Sequence, residues 1–319
     1  MKHIALSLLV IVVARPSLLR GQDSDRYDGP IIDMHLHASD VDSGPDGKPL
    51  QRPCFPEPCR AVPAKATSED DVLRMTLDAM DRHNIVLGFL SGDLDRVRHW
   101  VATAPGRFVA APMIWEPGEP TVEFLRAEYK AERLQGMGEI ATQYNGYRPN
   151  DPALVPYFAL AQELNIPVHI HTLGIGARLP GFRSAAGNPL FLEEVLVGHP
   201  RLRLFVENAG FPFTSEMIAV MYQYPQLYGD LSTTTWIVAH DGFLDHLRAL
   251  VRAGLSKRLM YGSDQMQWPE TIDLAVEAIQ AADFLTKEQR ADIFYNNAAR
   301  FLQLPQEVID QHHETSRND

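Results

Sequence analysis

The stretch Ile31-Ile32-Asp33-Met34-His35-Leu36-His37 puts three polar side chains at a spacing that could do chemistry. Its apolar entry and period-two alternation predict a β-strand, with Asp33, His35 and His37 at i, i+2 and i+4 on one face. Two imidazoles side by side on the inner face of a barrel strand can hold one divalent metal, and neutral imidazole suits zinc and its first-row neighbours. The plain alternative is two exposed histidines on an edge strand. A carboxylate in line with both, beside an apolar run, speaks against it.

Other candidates fall on later strand-like segments. Glu139 lies in Gly136-Met-Gly-Glu-Ile140, His169 and His171 in Pro167-Val-His-Ile-His-Thr172, and Asp264 in Met260-Tyr-Gly-Ser-Asp264. For Glu139 and His169 a plainer role stays open, as a structural acid and a hydrogen-bonded core histidine. His83, His99, His199, His240 and His246 stand in helical or turn contexts and read as structural or exposed, and His312-His313 as tail. Trp115-Glu116, Tyr144, Arg178, Arg183, Trp236 and Trp268 follow strand ends, where they could line a pocket.

The elements that must position these groups alternate regularly. After the first strand, strands are predicted near 85–90, 108–115, 137–141, 166–172, 202–207, 227–231 and 259–261, each followed by a helical pattern. Ser68-Glu-Asp-Asp71 opens the first helix with a Ser cap and acids in its first turn, and Thr286-Lys-Glu-Gln289 is a capping box opening the last, through Leu302. Eight β/α units predict an α/β fold, a (β/α)8 TIM barrel, in which functional groups gather at the C-terminal strand ends. A doubly wound sheet would instead carry a Gly-rich phosphate turn where His-x-His stands. Residues 38–67, rich in Pro, Gly and Asp, read as a long lid loop after strand one.

Length and composition agree with one such barrel. The chain has 319 residues, 45% hydrophobic and 22% charged, with a net charge of -12. Acidity without basic clusters argues against nucleic acid or an anionic membrane surface as partner. A homo-oligomer stays open. Lys2 followed by the apolar run Ile4 to Ala14 reads as a signal-like segment over residues 1–22, too short to span a bilayer. The barrel is assigned to 23–304 and a polar tail to 305–319. The expectation is therefore an exported protein, periplasmic or secreted, with no stable membrane span once the signal is removed. In an oxidising compartment Cys54 and Cys59 are expected to pair.

This set resembles the amidohydrolase superfamily of metal-dependent barrels, in its amidohydrolase-2 branch, which includes decarboxylases. The resemblance covers roughly residues 31–302. It rests on Asp33-Met-His-Leu-His37, Pro167-Val-His-Ile-His171, Tyr228-Gly-Asp-Leu-Ser232, Leu259-Met-Tyr-Gly-Ser-Asp264 and Asn297-Ala-Ala-Arg-Phe301. It implies that His35, His37, His171 and Asp264 ligate the metal, with Glu139 a ligand or a bridge between two. Asp264 also takes a proton from the attacking water. The sequence departs from the family at strand six, where Asn208 in Phe205-Val-Glu-Asn-Ala-Gly-Phe-Pro212 takes the place of a His. An amide ligates metal poorly and cannot act as a general base. The expectation is that Asn208 orients a substrate or water, that Glu207 points to the other face, and that one metal is held rather than two. His169 either supports a ligand or takes up the role vacated at strand six.

The expected activity is hydrolysis of an amide, ester or lactone bond of a small-molecule substrate by metal-activated water. The metal is most readily zinc, with manganese, iron or cobalt compatible. The rivals are a non-oxidative decarboxylase and a metal-binding barrel that has lost catalysis.

Overall fold

Every residue of the first strand, β1 (Ile31–Ala38), is buried, as befits a strand covered on both faces. It is followed by β2 (Ile85–Gly92), β3 (Phe108–Pro112), β4 (Met137–Ile140), β5 (Val168–Ile170), β6 (Leu204–Val206), β7 (Leu227–Asp230) and β8 (Leu259–Met260). Neighbours pair in parallel along two arcs, β1-β2-β3 and β4 through β8. A parallel bridge between Ile114 and Ile140 joins the arcs. The other seam is closed by Met34 N–H to Tyr261 O at 2.9 Å and Asp264 N–H to His35 O at 2.8 Å. The (β/α)8 barrel expected from the alternation is the fold observed. This is a computed structural model, and it describes residues 26–43, 48, 65–176 and 179–315. The signal-like segment, Cys54, Cys59, Arg178 and most of the loop after β1 lie outside the described residues.

The helices are α1 (Glu69–Arg82), α2 (Leu94–Thr103), α3 (Val122–Lys130), α4 (Val155–Leu164), α5 (Glu193–Gly198), α6 (Thr214–Gln223), α7 (Thr234–Ile237), α8 (His240–Arg252), α9 (Thr271–Gln280), α10 (Lys287–Ala291), α11 (Asn297–Leu302) and α12 (Gln306–Thr315). Both predicted caps form. Ser68 accepts from the Asp71 amide, and Thr286 and Gln289 make a reciprocal capping box. Each such cap satisfies an orphan N–H and is worth about 1 kcal/mol. The predicted single last helix is interrupted by a π turn over Asp292–Asn296.

Two apolar layers hold the barrel. Outward strand residues such as Leu36, Leu90, Ile170 and Val206 pack under helix residues such as Trp100, Phe158 and Leu247. Inside, Met34, Phe89, Phe205 and Met260 fill the lower half, sealed by Tyr295 and Phe301. Phe205 sits edge-on to Phe89 and Phe301 at 5.4 and 5.3 Å. Truncating a buried aromatic of this kind to Ala typically costs about 3–5 kcal/mol.

The expected polar tail is structured: residues 306–315 form α12. Ile309 packs against the inner apolar group, and the Tyr295 hydroxyl lies 2.9 Å from His312 Nδ1. Overall polarity hid this helix, because its apolar contact comes from a narrow stripe.

Candidate metal centre

Above that apolar plug the barrel interior turns polar, and the change of character starts with an irregularity in β1. Asp33 pairs with Gly88 and Leu36 with Leu90, so β1 carries one residue more than β2 between these points. Such a bulge reverses which residues face inward. Below it Ile32 and Met34 join the inner apolar group, and above it Leu36 joins the outer one. His35 and His37 therefore face the interior together, with their Nε2 atoms 3.0 Å apart. Asp33 does not share their face. Its Oδ1 accepts from the amides of His35 and Ser263, both at 3.0 Å, and so pins the bulge to the turn after β8. Gly262 permits the close approach there: a Cβ would lie 2.9 Å from His35 Cβ.

Groups from six more strand ends gather around the pair. His37 Nε2 lies 2.9 Å from Asp264 Oδ1 and 3.5 Å from Glu139 Oε2, and His35 Nε2 lies 3.5 and 3.8 Å from the same oxygens. His37 Nδ1 is held 3.1 Å from the Ser91 hydroxyl of β2. Asp264 sits at φ 50, left-handed backbone that Asp tolerates better than most residues. Its Oδ2 accepts from the Thr233 hydroxyl. His171 stands on the other side of Glu139, its Nδ1 2.7 Å from Glu139 Oε1 and in contact with Glu207 Oε2. Below, Asp230 Oδ2 lies 3.3 Å from His35 Nδ1 and 3.4 Å from His169 Nε2. The structure thus brings together His35, His37, Glu139, His171 and Asp264 as the sequence led one to expect, and adds Glu207, Asp230 and Thr233.

Two sequence expectations need correction. Glu207 was expected on the far face and Asn208 toward the metal. The structure reverses them. Phe205 faces inward, so two residues on Glu207 does too. After β6 the chain turns sharply through Asn208 at φ 53 and Ala209 at φ 43, which ends the alternation. Asn208 is fully buried and its amide is committed. Its Oδ1 accepts from Thr234 N–H at 2.8 Å, and its Nδ2 donates to Glu207 Oε1 at 2.7 Å. It positions Glu207 and has no polar atom left for substrate. Likewise His169 is fully buried beneath His35. Its ring stacks on Phe205 at 4.4 Å and meets His35 edge-on at 4.3 Å. It supports Asp230 and His35 rather than the reacting groups. Glu207 was legible from the inward parity of Phe205. Asp230 was legible as the last residue of a barrel strand. For Thr233 the sequence held no signal.

Removing the Asn208 amide should therefore be a stability change. Asn208→Ala leaves the buried Thr234 N–H without a partner and Glu207 Oε1 with one partner fewer, at roughly 2–4 kcal/mol in total. Urea unfolding measures it, with metal content kept. Unchanged stability with lost turnover would restore the substrate-facing role.

The electrostatics follow from packing carboxylates and imidazoles away from water. Burial lowers the His35 pKa, but the charge of Asp264 and bonds to Asp230 and Glu139 override it and hold the group well above its usual range. His171 behaves alike: burial opposes protonation, and Glu207 and Glu139 push it up to about 10. Burial and the charge of Glu139 raise Glu207 to about 7 against the pull of His171. For Asp264, burial is outweighed by His35 and His37, which keep the carboxylate ionised. His169, desolvated and beside His35, is lowered to about 4. The cluster thus draws positive charge toward itself. Among the described residues, the buried His171 Nε2 has no hydrogen-bond partner, and the buried Asp264 Oδ1 and Glu207 Oε2 face imidazole nitrogens. Buried carboxylate and imidazole donors of this kind are the ligand set of a divalent first-row cation. The residues fit a metal.

Below Asn208, His246 accepts from Thr214 Oγ1 at 2.7 Å, and its Nε2 lies 3.2 Å from Asn208 O. Burial lowers its pKa to about 4 from the usual 6.5. The folded state therefore excludes a proton that the unfolded chain accepts below about 6.5. Its contribution is complete above that pH and falls as pH drops toward 4, by roughly 2–3 kcal/mol at pH 4.5. Unfolding of wild type and His246→Gln at pH 7 and 4.5 checks this. The variant should lose less stability on acidification than wild type does.

The cluster forms the floor of a cavity of about 880 Å³ at the C-terminal mouth of the barrel. His37, Glu139, Glu207 and Asp264 line its base, and Trp115, Glu116 and Tyr144 its wall. Tyr144 lies 4.5 Å from His171 and 5.6 Å from Trp115, ring to ring. Of the other pocket candidates, Trp236 is buried and bonded to Ser263 O, while Arg183 bonds Pro180 O and Phe182 O. These two and Trp268 do not line the cavity.

A parallel barrel with imidazoles and carboxylates gathered at its C-terminal mouth is the architecture of a metal-dependent barrel enzyme. The family model described as amidohydrolase matches residues 32–304, and the chain belongs to that family. Solved structures agree in fold. An uncharacterised TIM-barrel protein from Bordetella bronchiseptica is 16% identical, with a TM-score of 0.63 over 86% of this chain and 98% of that one. A probable 2-pyrone-4,6-dicarboxylic acid hydrolase from Acinetobacter baumannii, with citric acid bound, is 15% identical, with a TM-score of 0.58 over 86% and 99%. A dihydroxybenzoic acid decarboxylase from Polaromonas, with manganese and 2-nitroresorcinol, is 14% identical, with a TM-score of 0.58 over 86% and 97%. Among curated proteins the chain is 25% identical over 170 residues to Protein fluG of Emericella nidulans. That match covers 47% of this chain and 19% of that protein, so it spans about a fifth of the relative's length. Among the described residues, no helix is long and apolar enough to cross a membrane.

Proposed function

We propose that the chain is a metal-dependent hydrolase acting on a neutral amide, ester or lactone. His35, His37, Glu139 and Asp264 would hold the cation. When bound, a divalent cation supplies Lewis acidity and lowers the pKa of water at the site. Asp264 is the base: it stays ionised, its Oδ2 is fixed by Thr233, and its Oδ1 faces the cavity floor beside His37. It takes the proton from the attacking water and returns it to the leaving group. Glu139 and Asp264 keep the floor anionic, and Trp115 and Tyr144 offer an aromatic wall to the substrate.

The observation that carries hydrolysis over decarboxylation is the charge of the mouth. Among the described residues, Asp40, Asp42, Asp93, Glu116 and Glu119 line it, against one cation, Arg96. A cleft of one sign repels substrates of that sign. A carboxylic acid, the substrate of a decarboxylase, meets that repulsion, and an uncharged amide, ester or lactone does not.

The test is a screen of neutral amides, esters and lactones against aromatic carboxylic acids, with and without chelator. Chelator-sensitive release of acid, amine or alcohol supports the reading. Release of CO2 from an acid, with no hydrolysis, overturns it in favour of a decarboxylase. We further propose zinc as the cation and export as the location. Metal analysis of purified protein and fractionation of expressing cells address these in turn. A disulfide between Cys54 and Cys59 belongs to the same export proposal.

A further inference from the structure

We propose that Tyr144 is a catalytic hydrogen-bond donor, its phenol O–H directed at the carbonyl oxygen that gains negative charge as water attacks. This rests on the hydrolytic reading above. Tyr144 lies in the turn that follows β4, the strand that carries Glu139, and it lines the cavity above the floor. Its hydroxyl has no hydrogen-bond partner among the described residues, and it is not sealed from the cavity. Neighbouring tyrosines use theirs to build the fold: Tyr129 and Tyr157 donate to the carbonyls of Gly136 and Pro120, both at 2.9 Å. A donor left over on the wall of a reaction cavity is available to what enters it.

The ring is held, so the donor is in place before substrate arrives. It packs on His171 at 4.5 Å, Trp115 at 5.6 Å and Phe182 at 5.7 Å between ring centres. The backbone of its turn is fixed as well. Gln143 Nε2 donates to Leu173 O at 2.7 Å and Asn145 Nδ2 to Trp115 O at 3.0 Å, which ties the turn to the loops after β5 and β3. Gly181 lets the chain come close behind it: a Cβ there would lie 2.7 Å from Tyr144 O. A donor fixed in this way needs no reorganisation when charge develops.

Its place in the ring of strands suits the part. β4 and β8 stand on opposite sides of the eight-stranded barrel, so Tyr144 and Asp264 meet a substrate from opposite sides. Attack forms a bond from the water oxygen to the carbonyl carbon and moves the C=O π pair onto the carbonyl oxygen. Asp264 takes the water proton, and the Tyr144 O–H donates to the new oxyanion while keeping its own proton. On collapse the pair re-forms C=O, the bond to the leaving oxygen or nitrogen breaks, and Asp264 returns the proton to it. A phenol, with an ordinary pKa of about 10, is a donor throughout the neutral range.

Tyr144→Phe separates the hydroxyl from the ring. It keeps the ring contacts and removes a hydroxyl that the fold does not use, so circular dichroism and bound metal should match wild type. Both full-length proteins, loaded with Zn²⁺, are assayed with phenyl acetate, a neutral ester. Both are also titrated by calorimetry with phenyl methylphosphonate, whose tetrahedral anion mimics the attacked ester. In the variant kcat should fall about 10²–10³-fold with KM little changed. Phosphonate binding should weaken on the order of tenfold or more. Unchanged kcat and phosphonate affinity in Tyr144→Phe overturn the donor role and leave hydrolysis standing. A raised KM alone, the result for a residue that is only a wall, overturns it too. A wild type that binds no phosphonate overturns the hydrolytic reading, and this role falls with it. Where wild type leaves phenyl acetate intact but binds the phosphonate, the binding comparison alone decides.

Discussion

Replacing His35 and His37 together with Ala should strip the protein of metal and lower turnover by on the order of 10³ or more. The two Nε2 atoms stand 3.0 Å apart and face the same carboxylate oxygens of Glu139 and Asp264. Removing both leaves Glu139 and Asp264 without imidazole donors between them. A bound cation contributes several kcal/mol of transition-state stabilisation, and roughly 4 kcal/mol corresponds to about 10³ in rate. The fold should survive, because β1 is fixed by its pairing with β2 and by Asp33, not by the imidazoles. Metal content and circular dichroism of the double variant check both halves. Full metal occupancy in a folded double variant would sink the assignment of these histidines.

The second large effect is expected at Asp264. Asp264→Asn keeps shape and can still accept from Thr233, so the local structure should persist. An amide cannot take a proton from water, and loss of a positioned acid–base group costs typically about 10²–10⁴ in rate. The fall should appear in kcat, with substrate affinity changed much less, because the group acts on the proton in flight and not on binding. Metal affinity should weaken as one anionic ligand becomes neutral. An Asp264→Asn variant turning over a confirmed substrate at the wild-type rate would assign the base elsewhere, with Glu207 the first group to examine.

These effects depend on residues that were unequally visible in the chain. The strand and helix order was readable because periodicity and caps are local. Ser68 with its acids and the Thr286–Gln289 box determine helix starts within four residues, and they fold as read. The gathering of His35, His37, Glu139, His171 and Asp264 was readable too, since a closed parallel barrel brings all C-terminal strand ends to one mouth. From type and spacing alone, then, the sequence determined the barrel, its functional end and most of the charged floor.

Facing, by contrast, was decided only in three dimensions. The bulge in β1 separates Asp33 from His35 and His37, although strict alternation puts the three together. At β6 the strand ends after Val206 and the chain enters left-handed backbone at Asn208. Position in a motif therefore pointed to Asn208, while the folded chain aims Glu207. Thr233, after β7, reaches Asp264, after the neighbouring β8, 31 residues away in sequence. A bulge, a turn and a hydroxyl tether are each settled by contacts between distant segments. The periodicity of one segment contains no trace of them, which is why the sequence named the ring of ligands and only the packed barrel decided which of them share a face.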